Sequence, residues 1–219
     1  MAREVEILFL EKKMKDEHRF FDCIAGVVLA GIMVLGFGLL PQTAQAAEVK
    51  ELARDAGQPE RQIEVQAEYL DGRFFKDRNV DLYNVHVYQP YKKVHAMTMS
   101  YGMTLERAMG SIYWQDRTRD AGAFGLGPSY MLRFTRSLSP RWDISLDGTG
   151  SLLFYDHSHP DGGRGYGFLW RIGPRFTYHA GARDAVSLGY IFHHSSNGMK
   201  TRNPGYNGIG FSLGYTHAY

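Results

Sequence analysis

From residue 62 to its last residue, the chain alternates with a period of two. Ile63, Val65, Ala67 and Tyr69 fall in one column, and Glu64, Gln66 and Glu68 in the other. Phe124, Leu126, Pro128, Tyr130, Leu132 and Phe134 stand against Gly125, Gly127, Ser129, Met131, Arg133 and Thr135. Further on, Trp142, Ile144 and Leu146 oppose Asp143, Ser145 and Asp147, and Tyr166, Phe168, Trp170, Ile172, Phe176 and Tyr178 oppose Arg171, Gly173, Arg175 and Thr177. Neighbouring side chains of a strand point to opposite faces, so each run predicts a strand with one apolar and one polar side. Ten or more residues per run is long for a soluble sheet.

Eight such runs can be counted, at about 62–71, 80–90, 94–114, 123–135, 141–155, 165–178, 185–196 and 207–219. The expected fold class is therefore all-β, an eight-stranded antiparallel barrel. Which column faces inward decides its setting. A soluble lipid-binding barrel turns the apolar column in; a transmembrane barrel turns it toward lipid and fills a narrow lumen with small and paired charged residues. Aromatic residues at the strand ends resemble interfacial girdles. Phe211, Leu213, Tyr215, His217 and Tyr219 alternate up to an aromatic terminus, which resembles the assembly signal of bacterial outer-membrane barrels. The transmembrane reading follows, with Glu64, Glu68, Asp143 and Asp147 expected to offset Arg133, Arg171 and Arg175 inside. In the third run the apolar column Met97, Met99, Tyr101, Met103, Leu105 slips to Ile112 and Trp114. That slip predicts a bulge near 106–110 or a mistaken strand count. An even strand count puts both chain ends in the periplasm, with short turns near 137–140 and 179–184 and outer loops near 71–79, 115–122, 156–164 and 197–206.

The N-terminus belongs to targeting. Cys23 to Leu40 is an apolar run of 18 residues, followed by Pro41, the A-x-A site Ala44-Gln45-Ala46 and a polar stretch. This reads as a secretory signal peptide over 1–46, with Met1 to Lys13 as an upstream extension and Met14 as an alternative start. A retained membrane anchor is the competing reading. Cleavage after Ala46 leaves 173 residues, of which 47–61 are expected to form a polar periplasmic tail and 62–219 the barrel. The one cysteine, Cys23, leaves with the signal peptide, so no disulfide supports the fold. The chain has 25 Lys and Arg against 23 Asp and Glu, which gives no polybasic argument for nucleic acid.

Chemistry is concentrated in the seventh run, AVSLGYIFHHSSNG. Its lipid-side column Val186, Leu188, Tyr190, Phe192 continues into His194 and Ser196. Polar groups at the end of a lipid-facing strip call for a reason. In the eighth run the matching column is Asn207, Ile209, Phe211, Leu213, Tyr215. Pairing 194 with 207 also pairs 188 with 213 and 186 with 215, so the apolar partners agree. Ser196, His194 and Asn207 then cluster on the barrel exterior near the outer surface. A hydroxyl beside an imidazole that a third group orients is the arrangement of acyl transfer. The same residues, HSSNGMKTRNPG, also describe an ordinary hairpin loop, and H-x-S alone does not choose between the two.

The segment from His194 to Asn207, H-S-S-N-G-M-K-T-R-N-P-G-Y-N, resembles the C-terminal signature of the lipid A 3-O-deacylase family (PagL type, acyloxyacyl hydrolases): H-x-S-N, a short Gly-containing loop, then N-x-G-x-E or a variant. The resemblance covers about the last thirty residues. It implies an outer-membrane barrel of eight strands that hydrolyses the 3-O-linked acyl chain of lipid A without metal or other cofactor. Ser196 is then the nucleophile, His194 the general base, and Asn197 with the Gly198 N–H the oxyanion donors. Asn207 stands where the family has a Glu. The partners implied are lipopolysaccharide and the outer membrane, with a homodimer left open. Lys200, Arg202 and Arg164 are candidates for the lipid A phosphates, or solvated loop charges. His193 and Ser195 repeat H-x-S but face the lumen and lack the following Asn. A second cluster, Asp156-His157-Ser158-His159-Pro160-Asp161, has metal-ligand types but sits in a Gly- and Pro-bounded loop. Two other readings stay open: a non-catalytic structural or adhesive barrel with a vestigial site, and a secreted barrel holding a lipid inside.

Overall fold

The computed structural model describes residues 61–72, 78–197 and 204–219. Residues 1–60, which hold the expected signal peptide and tail, and Gly198, Lys200 and Arg202 lie outside the described residues. The strands are β1 (Gln62–Asp71), β2 (Arg78–Val94), β3 (Met97–Trp114), β4 (Arg117–Asp120), β5 (Ala123–Ser139), β6 (Trp142–His159), β7 (Arg164–His179), β8 (Asp184–Ser196) and β9 (Tyr206–Ala218). All pairings are antiparallel, and β1 bonds both β2 and β9 while β2 bonds β3, so eight of the strands close into a ring. Closure leaves no open edge among them. The ninth, β4, pairs only with the end of β3 (Ser111↔Asp120 to Trp114↔Arg117) and forms a ledge beyond the ring.

The ladder Gln62↔Ala218 places the first and last strand ends together. The turns β2–β3, β5–β6 and β7–β8 lie at that end, and the β1–β2, β6–β7 and β8–β9 connections at the other, outer end. The segment 115–122, expected to be an outer loop, instead holds the β3–β4 hairpin, whose turn residues Gln115 and Asp116 have φ of 52° and 61°. Likewise β6 runs on to His159, which leaves only a four-residue turn where 156–164 was expected to be loop.

Parity runs as the alternation requires, with the apolar column outward. Leu126, Phe154, Trp170, Leu188 and Phe211 are exposed, while Glu64, Glu68, Asp147, Arg171 and Arg175 are buried in the lumen. The bulge expected at 106–110 is absent. The β2–β3 ladder is continuous from Arg78↔Ile112 to Pro90↔Ser100 and shifts only between Pro90 and Lys92. Even-numbered residues of β3 therefore point inward throughout. Ile112 is apolar because the outer part of the lumen is itself apolar: Leu70, Val80, Leu82, Ala108, Ile112, Leu153, Leu169, Ile191 and Tyr206 form one buried cluster there.

Below that cluster the lumen is ionic. Arg133 bonds both oxygens of Glu64 (2.7 and 2.9 Å) and both of Asp147 (2.7 and 2.8 Å). Arg175 donates to Asp147 (2.7 Å) and to the hydroxyls of Ser187 and Ser212 (2.9 and 2.7 Å). Arg171 pairs with Glu68 (2.7 Å), which also meets His86 (3.0 Å). The expected charge balance holds for these groups, and Asp143 bonds Ser137 and His179 at 2.7 Å each. Charges so buried are tolerated only when paired and hydrogen-bonded, and these are. The inward column of β9 is small (Gly208, Gly210, Ser212, Gly214) because large neighbours fill its space. A Cβ at Gly214 would lie 3.1 Å from the Arg175 guanidinium, and one at Gly208 would run into His193.

Candidate active site on the barrel exterior

The β8–β9 hairpin builds the site. Its ladder runs unbroken from Asp184↔His217 to Ser195↔Tyr206 and includes Val186↔Tyr215, Leu188↔Leu213 and His194↔Asn207. A one-residue slip would turn every apolar side chain of the hairpin into the lumen, so burial pins this register. With 194 facing 207, the side chains touch: His194 Nδ1 is 2.6 Å from Asn207 Oδ1. An amide oxygen can only accept, so Nδ1 carries the proton and Nε2 is left with its lone pair. That is the tautomer a general base needs.

Ser196 lies on the same outward face, two residues beyond His194 and opposite Phe168 of β7. Both side chains are half-buried. Among the described residues no hydrogen bond joins them, but they border one gap: a Cβ placed on Gly205 would sit 3.5 Å from both His194 Cε1 and Ser196 Cβ. Catalytic hydrogen bonds are often loose before substrate arrives. Gly205 keeps that gap open, and its carbonyl accepts from the Arg78 guanidinium. His193 and Ser195 project the other way, into the barrel, and are buried. The second H-x-S pair thus has no access to lipid. Asn197 follows Ser196 directly and is also buried.

Behind the wall lies a polar layer that the sequence did not reveal. Tyr155 donates to Glu106 (3.0 Å), and Tyr206 meets His159 Nε2 at 2.7 Å. The one available signal was Tyr206, an aromatic residue heading an otherwise small inward column. The Asp156–Asp161 cluster does not converge. His159 is buried against Tyr206, whereas His157 is exposed and contacts Asp156 and the Gly122 carbonyl at 2.8 Å each. Among the described residues no group of three or more His, Cys, Asp or Glu is placed to hold a metal ion. Arg164 donates to the Tyr166 hydroxyl (2.6 Å) at the start of β7.

The arrangement offers a hydroxyl and an oriented imidazole on a lipid-facing wall, which suits attack on an ester within the membrane. The sequence model of the family described as lipid A 3-O-deacylase (PagL) matches residues 81–216. No curated protein matches the chain. Similar solved structures include the outer membrane enzyme PagL, at 16% identity and TM-score 0.43 over 71% of this chain and 99% of that one. Another is Neisserial surface protein A (NspA), at 13% identity and TM-score 0.44 over 72% of this chain and 95% of that one.

Proposed function

The chain belongs to the lipid A 3-O-deacylase (PagL) family, and on that premise we propose that it removes the 3-O-linked acyl chain of lipid A in the outer membrane with Ser196 and His194. The observation that carries this reading is the 2.6 Å bond from His194 Nδ1 to Asn207 Oδ1 on the lipid face beside Ser196.

In the reaction, Nε2 of His194 takes the hydroxyl proton as Ser196 Oγ attacks the ester carbonyl carbon. The tetrahedral oxyanion is held by the Asn197 side chain and the Gly198 N–H. Collapse breaks the bond to the sugar oxygen, which leaves with the proton from His194. A water then repeats the sequence on the acyl-Ser196 ester and releases a hydroxy fatty acid, with His194 again as base and acid. Asn207 fixes the tautomer throughout. It stabilises the transient imidazolium only as a dipole, where the family's Glu would bring a full charge. Lys200 and Arg202 meet the lipid A phosphates, since cationic donors recognise phosphate oxygens. An exterior site needs no cavity for substrate, because the scissile ester already lies in the membrane against the wall.

The test is mass spectrometry of lipid A after incubating lipopolysaccharide with the detergent-folded protein. Loss of one 3-hydroxyacyl chain, abolished in Ser196→Ala and His194→Ala, is the expected result. Lipid A left intact by the wild type would establish the second reading, an inert barrel, which the amide at position 207 favours.

A further inference from the structure

The outward column of β6 reads Trp142, Ile144, Leu146, Gly148, Gly150, Leu152, Phe154. It is bulky at both ends and bare in the middle, and a Cβ added at Gly148 or Gly150 meets nothing within 4 Å. Glycine inside a strand weakens it and gives up a side chain that would otherwise pack, so its place here needs a reason. The space it leaves is a hollow of about 410 Å³ on the barrel wall. Pro128 and Tyr130 of β5 wall it on one side, Phe168 and Trp170 of β7 on the other, and Gly150 and Leu152 form its floor.

Register ties this hollow to the candidate site. Gly150 pairs with Trp170, which pairs with His194; Leu152 pairs with Phe168, which pairs with Ser196. The hollow thus lies two strands from the nucleophile, roughly 10 Å across the sheet. The exposed Phe168 and Trp170 rise between the two as a ridge.

We propose that this hollow is a second acyl-chain subsite, which holds a chain of the lipid substrate other than the one being hydrolysed. This inference rests on the hydrolase reading above. The hollow opens on the face that meets lipid tails, so its natural occupant is aliphatic. The scissile chain begins at its carbonyl on Ser196, on the far side of the ridge. A chain in the hollow therefore hangs from another point of the same headgroup, about 10 Å to the side. A substrate that fills both places carries several chains on one headgroup, and the enzyme selects it over single-chain esters by that second contact.

The test compares Gly150→Leu with wild type on two substrates: lipopolysaccharide, and the single-chain ester p-nitrophenyl dodecanoate in the same detergent. The added side chain enters open space, and Gly150→Ala adds a single methyl as a graded, less intrusive variant. Heat-modifiable migration checks that each barrel is folded. The subsite predicts that Gly150→Leu lowers kcat/KM on lipopolysaccharide about tenfold, the scale of an apolar pocket contact, mainly through KM. Gly150→Ala falls less, and the single-chain ester is cleaved as before by both. Equal rates for wild type and both variants on lipopolysaccharide would mean that bulk lipid alone fills the hollow, and would overturn the subsite. An equal fall on both substrates would overturn it too, because Gly150 would then serve the scissile chain or the barrel itself. A wild type inert toward both substrates removes the hydrolase reading and the subsite with it.

Discussion

Replacing Asn207 with Asp changes the charge of the candidate site while keeping its shape. The two residues are isosteric, so the 2.6 Å contact with His194 Nδ1 can persist with a carboxylate as acceptor. Orientation and tautomer are already supplied by the amide, so the gain is limited to the electrostatic part. Two unit charges about 4 Å apart attract by about 4 kcal/mol at an effective dielectric of 20, which is a ceiling. Both side chains are half-buried, and water screens part of that. The difference between a neutral and a charge-assisted hydrogen bond, about 1–1.5 kcal/mol, is the better guide. Placed on the imidazolium of the transition state, it raises kcat about tenfold. Asn207→Glu, the family's residue, should raise activity as well. Asn207→Leu removes the acceptor altogether and frees the ring; loss of tautomer control in a serine triad costs ~10⁴ in rate. The assay is the initial rate of 3-hydroxyacyl release from lipopolysaccharide by equal amounts of folded protein. If Asn207→Asp gives no gain and Asn207→Leu keeps the wild-type rate, Asn207 does not orient His194 and the proposed constellation fails.

Two further variants test the surroundings of the site. Gly205→Ala removes no polar group, yet its methyl would press on the Ser195 carbonyl at 2.8 Å and enter the gap shared by His194 and Ser196. Displacing reacting groups by a fraction of an ångström lowers kcat markedly, and a fall of about tenfold or more is expected, beside a lowered urea midpoint from the contact with the Ser195 carbonyl; wild-type turnover would show that the gap is not used. Asp147→Leu strips both Arg133 and Arg175 of a shared carboxylate. Leaving buried guanidinium charge unbalanced should cost about 3–5 kcal/mol, read as a lowered urea midpoint in detergent. Adding Arg175→Met should recover part of that loss, and an Asp147→Leu midpoint equal to wild type would show that the lumen network does not hold the barrel.

The strands were legible because lipid on one side and a narrow lumen on the other impose opposite demands on alternate residues. The same logic carried over to the site. Once Leu188 and Leu213 must share the lipid face as a pair, the positions of His194 and Asn207 follow by counting. Reading failed where the lumen departs from its own rule. Ile112 looked like a parity slip because inward residues were expected to be polar, whereas the outer lumen is closed by an apolar cluster. The β3–β4 hairpin was hidden because Gln115 and Asp116 take positive φ without the glycine that usually marks such a turn. The pairing of His179 with Asp143, and of Tyr155 with Glu106, spans 36 and 49 residues of sequence. Which diagonal or cross-lumen neighbour a side chain reaches depends on its length and rotamer, and a periodic pattern holds no record of that. Gly148 and Gly150 were likewise visible as letters, but only the register brings their empty column beside Trp170 and Ser196.

The way the proposed site is mounted separates the chemistry of position 207 from its place in the fold. His194 and Asn207 are held by a continuous ladder whose register is set by apolar pairs further down the hairpin. Their mutual position is therefore independent of what is bound and of what the residue at 207 contributes chemically. The lumen beneath is filled by ion pairs and a packed apolar layer, which resists movement of the wall. A change at 207 consequently alters the field on the imidazole while the backbone stays in place. Amide and carboxylate variants then differ in rate more than in stability, so stability and turnover measured on the same preparations separate the chemistry of position 207 from its structural role.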